Sequence, residues 1–173
     1  MLICRVLWLF ILALSLSCSS EGSDVELKNV NSYCTVADIV TIKSMKTGEY
    51  VTAGNSGDTL EMNPEEKAEQ RFWKLLAGNG FYIFQNVNTS NIIDIMGGCY
   101  EGMQQENVIS YNQQEVGSNN RFYINALDNT IGVQCFGGGK LRLKVQRIWL
   151  VAESIDNIKT SEEDIHFAIE RVS

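Results

Sequence analysis

Three segments of this chain end alike. Glu69-Gln70-Arg71-Phe72-Trp73-Lys74-Leu75-Leu76 is matched by Asn119-Asn120-Arg121-Phe122-Tyr123-Ile124-Asn125-Ala126-Leu127 and by Asp164-Ile165-His166-Phe167-Ala168-Ile169-Glu170-Arg171-Val172. The shared phenylalanines, Phe72, Phe122 and Phe167, lie 50 and then 45 residues apart. Such a period marks one supersecondary unit used three times. One unit cannot cover its own apolar face, so three copies must close on a shared core. The three phenylalanines are expected to be equivalent core positions.

Each ending closes a longer pattern. Unit one opens with Ile39–Ser44, turns at Lys46-Thr47-Gly48-Glu49 and returns as Tyr50–Ala53. Unit two opens with Phe81–Asn86, turns at Asn88-Thr89-Ser90-Asn91 and returns as Ile92–Ile95. Unit three opens with Thr130–Cys135, turns at Gly137-Gly138-Gly139 and returns as Leu141–Val145. The turn residues suit tight turns or positive φ, so each unit starts with a hairpin. Third strands follow at Thr59–Met62, Asn107–Tyr111 and Ile148–Val151. A polar connection then leads to the aromatic fourth strand. Sustained helical periodicity is absent. Pro64, the single proline, falls in a connection, where it costs no ladder hydrogen bond.

Ahead of this pattern, Arg5 precedes an apolar run, Val6–Leu16, with the length of a signal-peptide core and small residues after it. The expectation is a secreted protein with a signal peptide over 1–19, a polar linker over 20–36 and folded repeats at about 37–79, 80–128 and 129–173. A bacterial lipoprotein lipidated at Cys18 is the rival reading, weakened because Ser15 stands where a branched apolar residue is expected. No second long apolar run exists, so no membrane span is expected. Losing the leader removes Arg5 and no acid, which moves the formal charge from −7 to −8. Such a chain repels phosphate backbones, so nucleic acid is not an expected partner. Lys140, Arg142, Lys144 and Arg147 form the densest basic group, with three charges spaced for one strand face. Cys34, Cys99 and Cys135 survive processing and Cys18 survives some cleavages, so export makes a disulfide plausible without fixing the pair. No cysteine pair has zinc-site spacing. Asn88-Thr89-Ser90 is the one N-glycosylation acceptor, Asn88 being its target.

Twelve strands in three four-strand repeats make the chain all-β, and the pattern resembles the β-trefoil, a six-stranded barrel capped by three hairpins with pseudo-threefold symmetry. Within β-trefoils it is similar to the ricin B-type lectin family, whose repeats end in a Q-x-W signature. The corresponding triplets are Gln70-Arg71-Phe72, Asn120-Arg121-Phe122 and Ile165-His166-Phe167. The stretch Asn91-Ile92-Ile93-Asp94-Ile95-Met96-Gly97-Gly98 looks like that family's return strand, ending in an aspartate and a glycine-containing loop.

The resemblance implies a carbohydrate-binding protein with at most one shallow sugar site, on unit two. A carboxylate accepts from neighbouring sugar hydroxyls, an aromatic ring covers the apolar pyranose face, and an amide completes the pairing. Asp94 matches the carboxylate and Asn119 the amide. Gly97, with Gly98 and Gly102, lets the loop backbone approach a ligand. The family's stacking ring aligns with Asn112, so Tyr100 is the replacement candidate; Tyr111 should face the other side of its strand. Unit one offers Thr52 or Ala53 at the aspartate position and unit three Lys144, with Glu69 and Asp164 at the amide position. Both units therefore look blank. No cofactor or metal is implied, and the expected partners are glycans or glycoproteins.

Catalysis has little support. Triad chemistry needs a histidine beside the nucleophile, and the one histidine, His166, should face outward before core Phe167. Glu65 with Glu66, and Glu162, Glu163 and Asp164, read as solvated charge runs. The competing reading is a trefoil that binds a protein partner, cytokine-like or protease-inhibitor-like, with no sugar site.

Overall fold

A computed structural model describes residues 35–64, 69–112, 115–158 and 163–172. The expected leader, most of the linker, Cys18, Cys34, Glu65, Glu66 and Glu162 lie outside these residues. The first repeat contributes β1 (Thr35–Ser44), β2 (Tyr50–Thr52), β3 (Glu61–Asn63) and β4 (Trp73–Ala77). The second contributes β5 (Tyr82–Asn86), β6 (Ile92–Ile95), β7 (Gln105–Tyr111) and β8 (Phe122–Asn125). The third contributes β9 (Thr130–Gln134), β10 (Lys140–Gln146), β11 (Trp149–Ser154) and β12 (Phe167–Arg171).

Six strands close a barrel. β12 pairs with β1, β1 with β4, β4 with β5, β5 with β8 and β8 with β9. A bridge between Thr130 and His166 joins β9 back to β12's end. The other six form the pairs β2–β3, β6–β7 and β10–β11, which meet through Glu61–Trp149, Asn107–Val151 and Thr59–Ile109. Closure leaves no long free edge on the barrel. The fold is a β-trefoil.

The core lies inside the barrel and under the hairpins. Val51, Leu60, Phe84, Ile93, Val108, Phe122, Leu143, Leu150 and Phe167 meet there, with the Phe84 and Phe122 rings 5.7 Å apart. Alternation explains the partition on β10: Leu141, Leu143 and Val145 are buried, while Lys140, Arg142 and Lys144 point outward. Lys144 pairs with Glu153 at 2.8 Å and Arg142 with Asp128 at 3.6 Å, so the basic face is largely an ion-paired strand surface.

One expected equivalence is off by a residue. Phe72 is only partly buried, and Trp73 is fully buried with its indole Nε1 donating to the Val51 carbonyl at 3.1 Å. Register agrees: Trp73 faces Asn86 on the next repeat as Phe167 faces Ser44, and it faces Val40 as Phe122 faces Tyr82. Trp73, Phe122 and Phe167 are therefore the equivalent core aromatics. Phe72 instead takes the Arg71 guanidinium over its ring, with 5.0 Å from Cζ to the centroid. The residue-type match of Phe72 to the other phenylalanines hid the larger ring beside it.

The opening hairpins are aligned by bonds from Ser44 N to Glu49 O, Asn86 N to Asn91 O and Cys135 N to Gly139 O. Asn86 is fully buried and staples its hairpin to the first repeat, donating from Nδ2 to the carbonyls of Gln70 and Phe72. Its Oδ1 accepts from the amides of Asn88 and Thr89, which builds an Asx turn that leaves Asn88 exposed.

Candidate functional site

Asp94 sits in the middle of the second repeat's return strand, β6, all four residues of which are buried. Ile93 and Ile95 enter the core, and alternation sends Asp94 to the other face. There the 3-10 turn Ser118–Asn120 covers it, leaving it 2% exposed. Asn119 Nδ2 donates to Asp94 Oδ1 at 2.6 Å, and Asn120 Nδ2 reaches Oδ2 at 3.4 Å. Asn120 is itself fully buried; its Nδ2 also donates to the Glu115 carbonyl, and its Oδ1 accepts from the Gly117 amide, each at 3.0 Å. A Cβ at Gly117 would crowd Asn119 Oδ1, so the glycine leaves room for the Asn119 side chain in its bond to Asp94.

The electrostatics follow. Burial raises the Asp94 carboxyl from 3.8 to about 6, while the hydrogen bonds from Asn119 and Asn120 pull in the opposite direction. The carboxylate holds two amides in place and keeps further lone pairs for a hydroxyl donor.

After β6 the chain reverses at Gly97 and Gly98, whose φ values of +73° and +93° suit glycine, and Gly98 N donates to Ile95 O at 3.1 Å. The next residue, Cys99, is disulfide-bonded to Cys135 of the third repeat's hairpin, one of the pairs that the sequence left open. The Cys99 carbonyl accepts from Phe136 N at 3.2 Å and from Ser118 Oγ at 3.4 Å. Three loops therefore converge on one residue. Tyr100 and Phe136 are bridged side by side, 56% and 81% exposed.

Of the residues expected at a sugar site, Asp94 and Asn119 are in direct contact. Gly97 and Tyr100 lie in the loop that Cys99 ties to the Asn119 segment. Asn112 is not joined to them by any hydrogen bond among the described residues; its amide donates to Ser56 Oγ of the first repeat at 3.0 Å. Tyr111, expected to face away from Asn112, is exposed as Asn112 is. Sequence reasoning missed Asn120 as an Asp94 partner because it was absorbed into the signature triplet. It also missed Phe136, whose signal was an apolar ring beside three turn glycines.

Hairpin register also corrects two counterparts. Gln85–Ile92, Lys43–Tyr50 and Gln134–Lys140 are equivalent pairs, so Asp94 corresponds to Thr52 and to Arg142 rather than Lys144. With Trp73 equivalent to Phe122, Asn119 corresponds to Gln70 rather than Glu69. Neither other repeat repeats the carboxylate–amide pair. His166 is half-buried rather than exposed, its Nδ1 being 2.7 Å from the Asp128 carbonyl. Among the described residues no group of three or more His, Cys, Asp or Glu side chains could hold a metal ion. No helix among them is long and apolar enough to cross a membrane.

No protein-family model matches the sequence, and no curated protein does. Solved structures do match. The chain is similar to the designed threefold-symmetric protein ThreeFoil, with a TM-score of 0.63 at 14% identity, covering 78% of this chain and 99% of that one. It is similar to the ricin B-like lectin of Macrolepiota procera, solved in complex with lactose, with a TM-score of 0.56 at 9% identity, covering 80% of this chain and 98% of that one. It is also similar to a GlcNAcα1-4Gal-releasing endo-β-galactosidase from Clostridium perfringens, with a TM-score of 0.63 at 10% identity; 79% of this chain matches only 33% of the enzyme. These likenesses establish the β-trefoil as the fold.

Proposed function

We propose that this protein is a secreted carbohydrate-binding β-trefoil whose sugar site is on the second repeat, at the Asp94–Asn119 pair. The observation that supports it is the 2.6 Å bond from Asn119 Nδ2 to Asp94 Oδ1 beside a glycine turn. The pair sets a carboxylate acceptor and an oriented amide in one place, which is the combination that vicinal hydroxyls require. Because Asp94 is buried, it forms the floor; the partly exposed Asn119 meets the ligand. Tyr100 supplies the apolar wall for the pyranose face. The protein acts by binding, without catalysis, on glycans or glycoproteins. A single shallow site is weak, so multivalent presentation would strengthen it. The signal-like leader supports export and the exposed Asn88 turn supports N-glycosylation in a eukaryotic host.

Calorimetric titration of wild type and Asn119→Ala against a panel of neutral oligosaccharides tests the site. Loss of the amide should weaken binding about tenfold or more, the loss for a hydrogen bond in a charge-assisted set. Equal affinities would move the site elsewhere.

The second reading, a protein-binding trefoil, is favoured by one observation. Phe136 and Tyr100 stand exposed on loops clamped by a disulfide, as rigid aromatic anchors at protein interfaces do. Failure to bind any glycan together with capture of a protein through Phe136 would support it.

A further inference from the structure

The outer face of β8, β9 and β10 carries an open hollow of about 350 Å³, within the range of small-ligand sites. Strand register builds it. Tyr123 lies opposite Gly132 across β8–β9, and Gly132 lies opposite Arg142 across β9–β10. Gln134 and Lys140 form the neighbouring pair. Ile131, Val133, Leu141 and Leu143 are buried, so alternation turns all of these residues away from the core. Gly132 has no side chain, which leaves a gap between Tyr123 and Arg142. Ile155 also lines it, and Tyr123 and Ile155 are each 39% exposed.

The same place in the second repeat is filled. Equivalent hairpin pairs make Gly132 the counterpart of Ile83 and Lys140 the counterpart of Ile92. Tyr123, opposite Gly132, then corresponds to Leu76, opposite Ile83. Leu76, Ile83 and Ile92 form a minor core there, with Phe81 and Val116 packed against it. The third repeat keeps the strands of that minor core without its aliphatic chains. Crowding does not demand the glycine, since a Cβ at Gly132 would meet the Leu141 carbonyl at an ordinary 3.5 Å. Glycine inside a strand weakens it, and often marks close approach by a ligand.

The rim is cationic. Lys140 is in no ion pair among the described residues. Arg142 Nη2 lies 3.6 Å from Asp128 Oδ2, and Asp128 Oδ1 already accepts from Thr130 Oγ1 at 2.6 Å. The guanidinium therefore keeps donors for a second acceptor. No Asp or Glu lines the hollow. Arg142 stands where the second repeat has Asp94, so the acceptor on which the sugar reading rests is missing here.

We propose that this hollow binds a small aromatic monocarboxylate, at a site separate from the Asp94 pair. The ligand's ring lies over Gly132, in the space that Ile83 fills in the second repeat, against Tyr123 and Ile155. Its carboxylate accepts hydrogen bonds from Arg142 and Lys140. A neutral amide of the same shape lacks the charge that the two cations recognise.

The test titrates the full chain with phenylacetate, its neutral amide phenylacetamide, and acetate. Binding is read from the ring resonances of Tyr123. Phenylacetate should shift them. Its Kd should weaken by about tenfold or more in Gly132→Val, which fills the hollow, and in Lys140→Gln/Arg142→Gln. The second variant changes rim chains only, so a folding failure in the first leaves the test intact. Asp94→Asn should leave this titration unchanged, and weakened binding there would place the ligand at the other site and overturn the proposal. Four further results overturn it: no shift at Tyr123, equal affinity for phenylacetamide, equal affinity for acetate, or undiminished binding in either hollow variant.

Discussion

Replacing Asp94 by asparagine should change how stability depends on pH. In the folded protein burial raises the Asp94 carboxyl from 3.8 to about 6. Between those values the folded state holds a proton that the unfolded chain has released. Stability from this group is therefore greatest at low pH and falls as pH rises towards 6. The difference corresponds to about 3 kcal/mol, fully expressed by pH 7. Asparagine cannot titrate, so the variant lacks this loss. It also places an amide N–H against Asn119 or Asn120, where an acceptor stood, at a cost of about 1 kcal/mol. At pH 3 the variant should be less stable than wild type by about 1 kcal/mol, and at pH 7 more stable by about 2 kcal/mol. Urea unfolding of both proteins at pH 3, 4, 5, 6 and 7 measures this; the difference between them cancels the other titrating groups. A difference that does not change with pH would refute the burial argument. A difference with the opposite slope would mean that the amide bonds outweigh desolvation.

Other expectations follow from the packing. Trp73→Ala should cost about 3–5 kcal/mol, and Phe72→Ala clearly less, in equilibrium unfolding; equal costs would contradict the register that makes Trp73 the core aromatic. Removing the Cys99–Cys135 bridge, which closes 36 residues of sequence, should cost about 3–4 kcal/mol, with Cys99→Ser/Cys135→Ser and reduced wild type giving the same midpoint. Asn120→Ala strands the Gly117 amide, the Glu115 carbonyl and one Asp94 oxygen, and should lower stability by about 2–3 kcal/mol; faster hydrogen exchange at Gly117 would report the lost bond directly.

The fold was legible because it is written three times. Two of the hairpin turns carry their own signals: Gly48, Gly137 and Gly138 take the positive φ that glycine suits, whereas Ser90 takes it without such a signal. What was not legible is register within a repeat. Residue type aligned Phe72 with Phe122, yet hydrogen-bond pairing aligns Trp73, because packing volume and not the side-chain label decides which ring fills the barrel. The same one- or two-residue ambiguity affected Lys144 against Arg142 and Glu69 against Gln70. In the candidate site, Asp94 and Asn119 could be matched to a motif. The second clamp by Asn120 and the convergence of Tyr100, Phe136 and Ser118 on Cys99 could not. Those contacts join loops far apart in sequence, and only the disulfide and the barrel bring them together. The pairing of Glu61 with Trp149 is a contact between repeats, which no reading of one repeat at a time contains.

The central claim is that the second repeat binds sugar through Asp94. A glycan array probed with the full chain and with Asp94→Ala tests it most directly. The expected result is a defined set of bound glycans for wild type and their loss in Asp94→Ala with the fold retained by circular dichroism. Unchanged binding in Asp94→Ala, or no bound glycan for wild type, would contradict it.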